Sequence, residues 1–117
     1  MEELNNHVKA TLRWIRSLKD DWDGYGAPAI TERSIRHLKK VIYELPVKIM
    51  IDTEIYPTEY GGVQFLTKFD DGTRISADFG DETFSYYVDR PGQETLFFDF
   101  LPCEKSNYDK LIAELKC

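Results

Sequence analysis

The sequence predicts one α+β domain over residues 1–117: two N-terminal helices packed on one face of a four- to five-stranded antiparallel meander, closed by a short C-terminal helix. The first observation behind this is a change of rhythm. Apolar residues recur at helical spacing as far as Pro46, and from Val47 the period shortens to two, with turn residues roughly every ten positions. The second is size, since 117 residues fit a single core and leave no room for a second.

Leu4, Val8, Leu12, Ile15 and Leu18 mark one face of a first helix, with Lys9, Arg13 and Arg16 opposite. It stops in Asp20-Asp21-Trp22-Asp23-Gly24-Tyr25-Gly26, where glycines and then Pro28 break the period. Thr31 suits the N-cap of a second helix with Ile35, Leu38, Val41, Ile42 and Leu45 inward and Arg33, Arg36 and Lys40 outward. Pro46 ends it by pushing the residue before it out of the α region.

Lys48 to Ile55 reads as a first extended segment, followed by a loop with Pro57 and the pair Gly61-Gly62. Val63–Phe69 and Thr73–Phe79 flank Asp70-Asp71-Gly72, whose Asp-Gly step favours a tight hairpin. Gly80-Asp81-Glu82 turns the chain into Thr83–Asp89, and Arg90-Pro91-Gly92 into Gln93–Phe100. Pro102 closes the sheet, and Ser106 or Asn107 caps a last helix striped by Tyr108, Leu111, Ile112 and Leu115.

Alternation assigns the faces. Val63, Phe65, Phe69, Ile75, Ala77, Phe79, Phe84, Tyr86, Val88, Leu96, Phe98 and Phe100 fall on the core side. Gln64, Leu66, Lys68, Arg74, Ser76, Asp78, Ser85, Tyr87, Asp89, Thr95, Phe97 and Asp99 fall on the other, which is polar except for Leu66, Tyr87 and Phe97. Five strands span ~24 Å and two helices already cover ~20 Å of that. The last helix is therefore expected at an edge or on the second face.

Charge narrows the function classes. The net charge of −6 argues against a general nucleic-acid binder, which needs a basic footprint. Residues 1–46 carry eight Lys/Arg against seven Asp/Glu, residues 47–103 four against eleven, and residues 104–117 three of each, so the sheet is the acidic part. The apolar runs are far short of the roughly 20 residues of a membrane span, and the N-terminus lacks a signal-peptide pattern, which predicts a cytoplasmic protein without a membrane partner. Cys103 and Cys117 flank a helical segment that holds them ~18 Å apart, beyond disulfide reach.

Acids at alternate positions before Gly24 invite a calcium-loop reading, yet with Gly24 at the sixth position the first would be Lys19 and the twelfth Ile30, where an acid and a bidentate Glu are required. The plainer reading is that the acids solvate a helix end while Trp22 and Tyr25 pack over the seam between helices and sheet. Trp22, Asp23, Gly24 and Tyr25 stay as candidate binding residues of a small-ligand enzyme or sensor.

The segment also carries a resemblance. WDGYGAPAI after an amphipathic helix, then a second helix ending in LP, then PTEYGGVQF and ISADFGDETFSYYV, resembles poorly characterised small bacterial and mobile-element proteins with a Trp-Asp/Asn-Gly-x-Gly/Ala-Ala element and a Gly-Gly strand start. It spans about residues 8–89, anchored at Trp22, Asp23, Gly24, Gly26, Ala27, Pro28, Gly61 and Gly62. Those proteins often have a Trp after the pair matching Gln64-Phe65, where this chain has Leu66 and Thr67. The resemblance implies an α+β shape and lends no reaction.

No catalytic constellation stands out. His7 and His37 sit off the centre of two different helical stripes and read as surface or edge histidines, and no Cys/His spacing suits zinc. No phosphate loop is present, because Gly61-Gly62 lacks the following Lys and helix, and no cofactor is implied. Two surfaces remain. Lys9, Arg13, Arg16, Arg33, Arg36 and Lys40 align as a basic face if the first two helices form a hairpin, though such solvated faces are ordinary. Leu66, Tyr87 and Phe97, if adjacent and uncovered, offer about 400–500 Å², and Asp78, Asp89 and Asp99 rim them with negative charge that selects a basic partner.

The expectation is a non-enzymatic binding or regulatory accessory protein acting through a protein–protein surface, with a protein partner or a second copy in a homodimer. The alternatives are the small-ligand site at Trp22–Gly26 and nucleic-acid contact through the basic helix faces.

Overall fold

The computed structural model describes residues 2–116, with side chains from Asn6 onward. Four helices and five strands follow in the order α1 (Glu2–Ser17), α2 (Glu32–Ile42), α3 (Val47–Ile51), β1 (Thr53–Pro57), β2 (Val63–Lys68), β3 (Arg74–Phe79), β4 (Thr83–Asp89), β5 (Leu96–Pro102) and α4 (Lys105–Lys116). The strands pair in chain order, every neighbour antiparallel, so the fold is α+β with the expected meander in its five-stranded form.

The starts of α2, α3 and α4 have local causes. Thr31 caps α2, its hydroxyl accepting from the Ser34 N–H at 3.2 Å, and Glu32 in the first turn and Lys39 and Lys40 in the last suit the helix dipole. The extended segment expected from Lys48 begins instead as the short helix α3, so three helices precede the sheet. Pro46 is extended at the N-cap of α3, a position where its missing N–H costs nothing, and the turn drives Met50 into the core. Thr53 ends the turn by donating to the Ile49 carbonyl at 2.8 Å and then pairs with Thr67 across the first ladder. Helix α4 begins at Lys105, ahead of the expected caps. The N–H groups of Asn107 and Tyr108 bond the Glu104 carbonyl, and the Asn107 amide donates to the Pro102 carbonyl at 2.9 Å.

The core lies between the helices and one sheet face. Val8, Leu12 and Ile15 of α1, Ile35, Leu38, Val41 and Ile42 of α2, and Val63, Phe65, Ile75, Ala77, Phe79, Phe84, Tyr86 and Val88 of the sheet are all buried there. The side chain of Leu4 lies outside the described residues. Helix α1 packs on β1 and α3, and α2 packs on β2, β3 and α4. That arrangement corrects the expected place of the last helix. Because α1 leans to the β1 edge, room remains beside α2, and α4 sinks Tyr108, Leu111 and Leu115 into the same core, with the Tyr108 ring 5.4 Å from that of Phe84. No described helix covers the second face.

The face assignment fails at one strand. Register runs Tyr86↔Phe98 and then Phe84↔Leu101, so Asp99 and Phe100 together oppose Ser85 in a β-bulge. One inserted residue reverses the parity that follows. Leu101 takes the core place expected of Phe100, and Phe100 sits 77% exposed with φ +55°. Leu96, expected in the core, is also exposed, since β5 is an edge strand.

Candidate functional site

The loop after α1 is closed by its own acids. Asp23 Oδ1 accepts from the N–H groups of Tyr25 at 2.8 Å and Ala27 at 3.1 Å, Asp21 Oδ1 from Gly26 at 2.7 Å, and Asp20 Oδ1 from Ala29 at 2.9 Å. Trp22 packs against the core and donates its indole N–H to the Pro28 carbonyl at 3.0 Å. Gly24 and Gly26 take positive φ to complete the reversal. The far side of this loop meets the second glycine pair: the Thr31 N–H donates to the Gly61 carbonyl at 2.9 Å, and a Cβ on Gly61 would lie 3.2 Å from Pro28 Cγ. WDGYGAPAI and GGVQF are thus two halves of one joint. Tyr25 does not pack over the seam as expected but projects, 93% exposed, beside a shallow hollow shared with Glu59 and Tyr60.

A second cluster was invisible in the sequence. His37 is half-buried, not a loose surface residue, and one of its ring nitrogens, Nε2, bonds the Asp81 carbonyl at 2.9 Å. A carbonyl only accepts, so Nε2 carries the proton and Nδ1 accepts from the Tyr108 hydroxyl at 2.7 Å. The free thiol of Cys103 lies beside Tyr108. Burial raises the Cys103 thiol above its ordinary value, against a smaller lowering effect of Tyr108. Burial likewise pushes the Tyr108 phenol far above its ordinary value. The cluster ties α2, the β3–β4 turn and α4 together. Cys117 lies outside the described residues.

Lys9, Arg13, Arg16, Arg33, Arg36 and Lys40 are all exposed. α1 and α2 pack on different partners, and Arg16 is neutralised by Glu32 at 2.8 Å.

The second sheet face stands open, and register arranges it in rows. Tyr56, Gln64, Asp78 and Ser85 cross the strands in one row, and Glu54, Leu66, Ser76, Tyr87 and Phe97 in the next. Tyr87 and Phe97 touch, ring centroids 6.2 Å apart, while Leu66 is set off from them by Ser76. Phe97 is 67% exposed, and the bulge adds Phe100. Two hollows, of about 190 and 260 Å³, meet at Asp78 and Ser85, walled by Phe97 on one side and Phe100 on the other.

Asp78 is the electrostatic oddity of this face. It is solvent-accessible, yet neighbouring side chains dehydrate it enough to raise its carboxyl above the usual range, and no described residue supplies a compensating cation or donor. A carboxylate raised on folding costs stability above its folded pKa and nothing below its unfolded value. Asp78→Asn is therefore expected to stabilise the protein at pH 7 by about 0.5 kcal/mol, the scale of an exposed charge. The gain should vanish below about pH 3.9. Urea denaturation at both pH values checks this, and a difference that grows on acidification contradicts it.

Among the described residues no three His, Cys, Asp or Glu side chains group as a metal site, and no helix is long and apolar enough to cross a membrane. No family model matches this chain, and no curated protein or solved structure shows significant similarity to it.

Proposed function

We propose that this chain is a non-enzymatic binding module that docks a basic protein partner on the open face of its sheet. The observation that carries the reading is Phe100, a bulky aromatic held at φ +55° and left 77% exposed. Left-handed backbone costs a side-chain-bearing residue about 1–2 kcal/mol, and exposing the ring returns nothing. Stability does not explain such an arrangement, and residues held in strain gather where a surface is used. The bulge that produces it is built in: Ser85 Oγ accepts the Phe100 N–H at 2.9 Å, replacing the ladder bond the bulge removes.

Charge chooses the partner. Asp78 and Asp99 share the face with Tyr87, Phe97 and Phe100, and no Lys or Arg lines the hollows between them. That negative rim complements a cationic surface. The small-ligand reading of Trp22–Gly26 loses support because its carboxylates are engaged with the loop's own backbone.

Capture from cell extract tests the reading with wild type, Phe97→Glu and Phe100→Gly as baits. Glycine tolerates φ +55°, so Phe100→Gly is expected to fold about as stably as wild type. The expected result is a protein held by wild type at low salt and lost from both variants, with wild type at monomer mass by light scattering. Equal capture by all three baits overturns the reading, as does a wild-type dimer that Phe97→Glu dissociates.

A further inference from the structure

The short side chains Ser76 and Ser85 occupy neighbouring central strands, and the open face dips over them. Around this dip stand taller groups. Tyr87 and Phe97 form an aromatic wall, and Asp78 and Asp99 line the same hollow of about 190 Å³. The bulge matters here as well, because it places Asp99 and Phe100 together opposite Ser85, so β5 delivers a carboxylate where simple alternation would also deliver one and adds a second aromatic beside it. Neither Asp78 nor Asp99 has a hydrogen-bond or ion-pair partner among the described residues.

Two carboxylates and two aromatic rings around one dip attract a cation. A hard metal ion wants six or more oxygen ligands, and no third metal-binding side chain joins the pair among the described residues. An organic cation uses the rings as well as the acids, through attraction to their π faces. Between the two protein cations, arginine fits better. Its planar guanidinium stacks on an aromatic wall while its fork of N–H groups reaches carboxylates at the rim, and it sheds water more readily than an ammonium.

We propose that the hollow bounded by Tyr87, Phe97, Asp78 and Asp99 receives an arginine side chain of the partner protein. This rests on the open face being the docking surface and names the chemistry that the surface reads. The raised Asp78 carboxyl agrees with it, because a dehydrated, uncompensated acid is relieved when a cation arrives.

The test is an NMR titration of the ¹⁵N-labelled protein with three acetylated, amidated tripeptides: Leu-Arg-Leu, Leu-Lys-Leu and Leu-citrulline-Leu. Citrulline keeps the shape of arginine and removes its charge. The arginine peptide is expected to shift the amides of Ser76, Asp78, Ser85, Tyr87 and Phe97 and to bind about tenfold more tightly than the citrulline peptide. The lysine peptide should fall between them. In Asp78→Asn/Asp99→Asn the preference for arginine over citrulline should disappear, with the fold checked by the unchanged spectrum of α1 and α2. No binding by any peptide, equal binding of the arginine and citrulline peptides, a lysine peptide as tight as the arginine one, or shifts confined to the helices each overturn the pocket. Equal binding of all three on the open face refutes the arginine pocket alone, whereas undiminished capture by the Phe97→Glu and Phe100→Gly baits refutes the docking face itself.

Discussion

Gly62→Ala is expected to destabilise the protein by about 3 kcal/mol, the upper end of what overpacking costs, because the added Cβ would lie 2.3 Å from the Phe79 carbonyl oxygen. That oxygen belongs to backbone in the β2–β3 ladder, where Val63 pairs with Phe79, so it cannot swing aside as a side-chain tip does. Gly62 is also clamped from its other side: its N–H donates to Thr58 Oγ1 at 3.1 Å and its carbonyl accepts from the Thr58 N–H at 2.9 Å. Relief requires the strand to part from its neighbour or the turn to open. Gly24→Ala is the matched control. Its Cβ would meet nothing within 4 Å, and only the left-handed φ of +78° is penalised, at about 1–2 kcal/mol. Guanidinium denaturation of the two variants separates the effects, and a Gly62→Ala loss no larger than that of Gly24→Ala would show that the close approach is soft.

The glycine pair also shows where sequence reading stops. Gly61-Gly62 is easily noticed before a strand, and so is the Trp22–Pro28 run, but their contact across more than thirty residues leaves no mark in local spacing. The same holds for the bond between His37 and Tyr108, 71 positions apart, which turns an apparently loose histidine into a tie between two helices. Strand faces were legible because alternation has a period of two, and Leu66, Tyr87 and Phe97 followed from it without further information. Alternation fails where a residue is inserted. The Phe97-Phe98-Asp99-Phe100 run is apolar or acidic at every step, so parity alone gives no sign of the bulge and puts Phe100 on the wrong side. Helix α3 was hidden for a related reason: five apolar-rich residues after a proline satisfy a buried strand and a helical turn equally well. The state of Asp78 depends on what its neighbours fail to provide, and no one-dimensional pattern records that.

Phe84→Ala and Phe97→Ala are expected to differ by about 3–5 kcal/mol in stability, although each removes the same ring from neighbouring strands of one sheet. Phe84 is fully buried on the helix-facing side, stacked on Phe79 at 5.3 Å and within 6.1 Å of Tyr86, with Tyr108 of α4 at 5.4 Å. Its removal leaves a cavity among rings contributed by β3, β4 and α4, which cannot all close on it at once. Phe97 touches Tyr87 and otherwise faces water, so truncating it should change stability by less than about 0.5 kcal/mol. Denaturant midpoints at constant m-value measure both. The comparison bears on function as well as on packing. If Phe97→Ala proved as costly as Phe84→Ala, the aromatic on the open face would belong to the folded core, and its exposure would need no partner. A near-zero cost leaves a large apolar side chain beside two uncompensated carboxylates with no part in holding the fold together, and recognition of another molecule is then the role that its position supports.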